Sequence, residues 1–127
     1  MSGLNNLNNA ANLRHALEQP IALYCRAATH STSAINSQKE HLLRFAYQTG
    51  HTNLAWYIDS GEGGLTLDRS ELNRLIADIA EGKIAAVVVT DISRIARGFC
   101  ALAEWIRLMD SYGVRCYSVD SKEYDAE

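Results

Sequence analysis

The sequence predicts an α/β fold, a mainly parallel sheet of about four strands with helices on both faces. From Ile21 onward, short apolar runs alternate with amphipathic segments, the pattern of strands joined by helical crossovers. The run Ile84, Ala85, Ala86, Val87, Val88, Val89 lacks polar alternation, as a central strand covered on both faces would. Size and composition agree: 127 residues, 47% hydrophobic and 21% charged, with one proline and 8 glycines, suit a single globular domain. They exclude disordered, collagen-like and coiled-coil classes.

Residues 1–20 read as an N-terminal extension, 21–120 as the domain and 121–127 as a solvated acidic tail. In the extension Asn5, Asn6, Asn8, Asn9 and Asn12 interleave with Leu4, Leu7, Leu13 and Leu17 before Pro20. Asparagine competes for the helix backbone, while the leucine spacing still permits one apolar stripe, so a packed segment and a disordered one both stay open. The four strands are expected at Ile21 to Cys25, Leu54 to Ile58, Ile84 to Thr90 and Val114 to Val119. Ile35, Leu42, Leu43 and Ala46 recur at helical spacing and stop before Gly50, a left-handed terminator. Asp68 followed by Glu71 reads as a capping-box variant opening a second helix with Leu72, Leu75, Ile76 and Ile79, closed by Gly82. A third helix runs from about Phe99 to Tyr112, with Leu102, Ile106 and Met109 as its apolar stripe, Trp105 beside it and Gly113 at its end.

No stretch approaches the roughly 20 apolar residues that cross a bilayer, and no basic region precedes an apolar run, so a cytoplasmic chain with no membrane partner is expected. Cys25, Cys100 and Cys116 form an odd set without CxxC spacing or histidines arranged around them, which predicts buried thiols, no metal site and no cofactor. Twelve Lys and Arg against fifteen Asp and Glu give a formal charge of -3, contrary to the diffuse positive field of a stand-alone nucleic-acid binder. Any phosphate recognition must be local.

Parallel sheets place chemistry in the loops after the strand C-termini. There the sequence offers Tyr24, Arg26, Ala28 and Thr29, then Asp59 and a loop with Gly61, Gly63 and Gly64 leading to Arg69, then Ser93, Arg94 and Arg97. The four arginines are a third of the 12 basic residues. Guanidinium forks match phosphate oxygens, so several converging on one point would form an oxyanion site. Separate pairing with Asp59, Asp68, Asp91 or Glu62 is the alternative. The glycines match neither nucleotide-binding fingerprint, and Asp59 lacks the adjacent acidic pair of a phosphoacceptor or metal site.

Taken together these residues resemble the catalytic domain of the serine recombinases, the resolvase and invertase family. Tyr24, Arg26 and Thr29 match its Tyr-x-Arg-Val-Ser-Thr motif, and Gln38 matches a characteristic glutamine in the first helix. Asp59, Gly61, Gly64 and Arg69 match its Asp-x-Gly-x-Ser-Gly loop and following arginine. Ile92, Arg94, Ile95 and Arg97 echo its Leu-Asp-Arg-Leu-Ser-Arg motif. The likeness spans about Ile21 to Val119, in order and on the expected elements.

The resemblance implies a reaction in which a serine hydroxyl attacks a DNA phosphorus in line, leaving a phosphoserine, while arginines offset charge on the phosphoryl oxygens. Here the serine position is Ala28, whose methyl has no lone pair to donate. Ala27 for valine, Gly63 for the loop serine, Ser93 for aspartate and Ala96 for serine depart as well, which favours a naturally degenerate copy. Thr29 and Ser31 carry nearby hydroxyls, but attack needs reacting atoms about 3 to 3.5 Å apart. Thr29 is expected in a loop hydrogen bond, and Ser31 or Ser33 as a helix cap.

The expectation is therefore a resolvase-like domain in which Arg26, Arg69, Arg94 and Arg97 hold phosphate, Gln38 and Asp59 order the pocket, and Tyr24 and Thr29 join them as substrate-binding residues, without cleavage. Its implied partners are DNA, held weakly through backbone phosphate without a separate DNA-binding module, and recombinase-like subunits in homo- or hetero-oligomers. Family members continue into a long dimerisation helix and a DNA-binding module beyond the point where this sequence ends, at Glu127. An active recombinase or transposase domain with its serine mutated or displaced, and a non-enzymatic protein-interaction module, are the two alternatives.

Overall fold

The structure, a computed structural model, describes residues 19–120, so most of the N-terminal extension and the whole acidic tail lie outside the described residues. The elements are β1 (Ile21–Ala27), α1 (Thr32–Thr49), β2 (Leu54–Ser60), α2 (Ser70–Ala80), β3 (Ala86–Val89), a 3-10 turn (Ile92–Arg94), α3 (Phe99–Tyr112) and β4 (Arg115–Ser118). The four strands pair in the order β2-β1-β3-β4, and every pairing is parallel. The α/β class inferred from the sequence holds, with helices on both faces.

Alternation along β1 divides the core in two. Ala22 and Tyr24 join Leu72, Leu75, Trp105 and Met109 from α2 and α3 on one face, whereas Leu23, Cys25 and Ala27 meet Ile35 and Leu42 of α1 on the other. Leu42, Leu72 and Leu75 are fully buried, each stabilising the domain by about 1.5–3 kcal/mol through transfer from water. All residues of β1 after Ile21 are buried, as expected of an inner strand flanked by β2 and β3.

Local signals set α1. The Ser31 hydroxyl accepts a hydrogen bond from the Ala34 N–H at 3.2 Å, and Gly50, at φ 79°, ends the helix by donating to the Ala46 and Tyr47 carbonyls. Its buried stripe is Ile35, Gln38, Leu42 and Ala46. Leu43, expected in that stripe, is 48% exposed, because one residue turns it about 100° away from Leu42.

The capping box expected at Asp68 and Glu71 does not form. The helix begins at Ser70, and the free N–H groups of Glu71 and Leu72 donate to the Asp59 carboxylate of β2 at 2.9 and 3.0 Å. A buried anion from a neighbouring strand thus replaces the local acid at the positive helix end, and Asp68 instead accepts from the Asn73 side chain at 3.0 Å.

In α3 the buried stripe is Ala101, Trp105 and Met109, so Trp105 is central rather than lateral and the expected Ile106 is 47% exposed. Cys25 is buried and Cys116 partly so, but Cys100 lies on the exposed side of α3, against the expectation for all three thiols. The strands differ from expectation in length: β2 continues through Asp59 and Ser60, while β3 and β4 have four residues each. Among the described residues no helix is long and apolar enough to cross a membrane.

Candidate functional site

The unequal strand lengths create the site. β1 pairs with β2 as far as Ala27 and Ser60, but its pairing with β3 stops at Leu23 and Val88. The Gln38 side chain reaches from α1 to the exposed backbone of Arg26, accepting from its N–H at 3.0 Å and donating to its carbonyl at 2.9 Å. A primary amide carries both a donor and an acceptor, so one side chain substitutes for the missing strand.

Beyond this clamp the loops after β1, β2 and β3 meet, and all four arginines singled out from the sequence are there. The Arg26 guanidinium donates to the carbonyls of Arg94 (2.9 Å), Glu62 (2.9 Å) and Ser93 (3.0 Å). Arg69 uses all five of its N–H donors. Its Nε and Nη2 donate to the Thr66 carbonyl at 3.2 and 3.1 Å, its Nη1 to the Tyr24 hydroxyl at 2.7 Å and the Arg94 carbonyl at 3.0 Å, and its Nη2 also to the Ile95 carbonyl. Arg94 Nη1 donates to the Arg26 carbonyl at 3.3 Å, while its buried Nε has no hydrogen-bond partner among the described residues.

Arg97 is exposed and lies across Gly64. Its N–H donates to the Gly64 carbonyl at 2.8 Å, and a Cβ added to Gly64 would sit 2.9 Å from Arg97 Cγ and 3.2 Å from Arg26 Cζ. Glycine at 64 is what lets the two arginines approach the loop.

Among the described residues none of the four arginines forms an ion pair with a carboxylate. Separate neutralisation by Asp59, Asp68, Asp91 or Glu62 is therefore not the arrangement. Burial, and then the charges of Arg69, Arg94 and Arg97, push the Arg26 pKa below the ordinary arginine value, with Tyr24 opposing in between. The positive charges act on one another, and mostly carbonyl dipoles hold them in place.

Two carboxylates have other tasks. Asp59, besides receiving the two N–H groups of α2, accepts from the Tyr24 hydroxyl at 2.7 Å; that hydroxyl accepts in turn from Arg69, so Tyr24 links the anion to the cation. Burial, with the hydrogen bond to Asp59, drives the Tyr24 pKa well above the usual phenol range, so it stays a neutral link. Asp91 accepts from the Ser93 N–H at 2.9 Å and starts the 3-10 turn that supplies the Ser93 and Arg94 carbonyls.

Ala28, Thr29 and His30 form an exposed turn immediately after β1. The Gly61 and Glu62 N–H groups both donate to the Ala27 carbonyl, at 2.8 and 3.1 Å, fastening the glycine loop beside that turn. The Thr29 carbonyl accepts from Ser31 N–H at 2.8 Å. The His30 ring covers Gly61, whose φ of 78° also requires glycine: a Cβ there would lie 2.6 Å from the ring.

The sequence placed the four arginines, Tyr24, Gln38 and Asp59 at this edge, and the structure brings them together. It gave no sign of the carbonyls of Glu62, Thr66, Ser93, Arg94 and Ile95 that hold the guanidinium groups, because a backbone acceptor has no side-chain signature. The packing of His30 on Gly61 was also missed.

Fold and site together define a parallel α/β domain with an arginine cluster at the carboxyl ends of its strands. The family model Resolvase, N terminal domain, matches residues 21–127, and the chain belongs to this family. A curated relative from Bacillus subtilis (strain 168), "Putative DNA recombinase", is 36% identical over 81 residues, covering 61% of this chain and 16% of the relative. The chain thus spans only about a sixth of that relative's length. Among solved structures, the N-terminal catalytic domain of TP901-1 integrase shares the fold with a TM-score of 0.73 and 24% identity, covering 80% of this chain and 79% of that one. A resolvase family site-specific recombinase from Streptococcus pneumoniae gives 0.67 and 26% identity over 80% of this chain and 72% of that one.

Proposed function

We propose that this domain holds DNA backbone phosphate in its arginine cluster and does not cut the strand. The observation that carries the first half is a set of converging guanidinium groups without a carboxylate partner. An incoming phosphate would relieve their mutual repulsion and take up the donors that remain. Arg97, exposed and free of side-chain partners among the described residues, is the direct contact, and the partly exposed Arg94, whose Nη1 makes one bond to the Arg26 carbonyl, offers its remaining Nη donors beside it while its Nε stays buried. Arg26, 3% exposed and bonded through all three of its nitrogens to backbone carbonyls, contributes its charge from beneath rather than a direct contact. Arg69 has no donor left and acts as a positioning residue, fixing Tyr24 and the carbonyls of Arg94 and Ile95.

The second half rests on Ala28. Strand cleavage of the serine-recombinase type requires an oxygen that bonds to phosphorus as the 3′ or 5′ oxygen leaves, and the methyl of Ala28 supplies none. Retained binding without cleavage fits a regulatory role, in which the domain occupies a place in an assembly of recombinase-like subunits.

The reading is tested by binding a labelled duplex at low salt and by incubating the protein with supercoiled and nicked plasmid. Salt-dependent binding that Arg97→Ala weakens, with a salt slope smaller by about one, is expected. Protein covalently linked to a DNA end would overturn the inactive reading, and binding indifferent to Arg97→Ala would overturn the phosphate site.

A further inference from the structure

We propose that Leu65 and Phe99 form an apolar platform beside Arg97 that stacks on an unpaired base, so that the site prefers single-stranded or locally opened DNA to intact duplex. The inference rests on the phosphate reading above and names the form of nucleic acid it takes.

Leu65 is 79% exposed and Phe99 84%, more than any other large apolar side chain among the described residues except Tyr47. Both flank the cluster. Leu65 follows Gly64, which is joined to Arg97 by a 2.8 Å backbone hydrogen bond and by the packing of the Arg97 stem on the glycine. Phe99 stands two residues beyond Arg97, at most about 7 Å along the chain. Between them Gly98, at φ 94°, turns the chain so that α3 begins with Phe99.

Among the described residues Phe99 has no packing role that accounts for it. α3 buries Ala101, Trp105 and Met109, and Phe99 is about 200° around the helix from Ala101, on the opposite side. An exposed phenyl group next to an exposed, unneutralised guanidinium complements one ligand chemistry well: an anion covalently joined to a flat apolar ring, as in a nucleotide. Aromatic side chains stack on bases of any sequence while basic residues follow the backbone. In an intact duplex the base faces are already stacked and only their edges are open, so the platform has a partner only where a base is unpaired.

The test uses the full chain, a fluorescently labelled oligo-dT and a labelled duplex of the same length, with anisotropy at low salt. Wild type is expected to bind the single strand more tightly. Phe99→Ala, at a solvent-facing helix position, should weaken single-strand binding roughly 5- to 150-fold and leave duplex binding unchanged. Arg97→Ala should weaken both. Photo-crosslinking with 5-iodouracil in the single strand should label the peptide containing Phe99. Equal affinity for the two DNA forms, or single-strand binding indifferent to Phe99→Ala, overturns the platform while leaving the phosphate reading intact; the patch would then be a protein-contact surface. Loss of duplex and single-strand binding to the same extent in Phe99→Ala also overturns it. If neither DNA binds, the phosphate reading fails and the platform fails with it.

Discussion

Asp59 is where helix placement and arginine placement meet, so its replacement tests how the site is held. The carboxylate is 2% exposed and accepts three hydrogen bonds, from the Tyr24 hydroxyl and from the N–H groups of Glu71 and Leu72. Each hydrogen bond to a charged acceptor contributes about 1.5–3 kcal/mol net, but three that share one group are not additive. Asp59→Ala orphans all three donors at once and is expected to cost about 3–5 kcal/mol, a large fraction of the roughly 5–15 kcal/mol that holds such a domain folded. Asp59→Asn keeps one acceptor. Its oxygen at Oδ2 retains Tyr24 and Leu72 and leaves Glu71 N–H facing the amide, for about 1.5–3 kcal/mol. Urea unfolding with an unchanged m value measures both, and a cycle with Tyr24→Phe should show a coupling of about 1–3 kcal/mol. An Asp59→Ala loss below about 0.5 kcal/mol, the scale of surface substitutions, would refute the network.

Further outcomes follow from the same geometry. Gln38→Leu leaves the Arg26 N–H without its partner and should destabilise by about 1–3 kcal/mol, measured by urea unfolding; an effect within experimental error would mean that the backbone finds another partner. Arg69→Lys replaces five fixed donors by three and should cost about 2–4 kcal/mol, whereas Arg97→Lys, at an exposed site, should change stability by less than about 0.5 kcal/mol. Burial pushes the Cys25 and Cys116 thiols from 9.0 up to about 12. Above pH 9 the unfolded chain therefore binds fewer protons than the folded one, so stability should fall between about pH 9 and pH 12, less steeply in a Cys25→Ala, Cys116→Ala double variant. Ala28→Ser alone should not restore cleavage, since Ser93 also departs from the family motif and its backbone is already committed to Arg26 and Asp91; phosphoserine formation by this variant on nicked DNA would contradict that.

Much of the fold was legible because its signals are local and periodic. The apolar run of β3, the Ser31 cap and the Gly50 and Gly113 terminators are each read from a few neighbouring residues. The start of α2 was misread for the opposite reason: Asp59 lies 12 residues from the N–H it caps, and no local pattern announces a carboxylate arriving from another strand. The same limit applies at the site. Motif order placed the arginines at one edge, but whether they pair with acids, with carbonyls or with nothing depends on where β3 ends relative to β1. That register is set by the whole sheet.

In the proposed phosphate site the arginines play unequal parts: Arg97 is exposed, Arg94 is partly exposed with a buried Nε, and Arg69 is locked into the fold. NMR of the arginine Nε–Hε resonances during titration with a short oligonucleotide reads each guanidinium separately. Arg97 is expected to shift most on saturation and Arg94 less, while Arg69 stays at its free-protein position. Resonances that all remain still, or an Arg69 signal that moves as far as Arg97, would contradict this expectation.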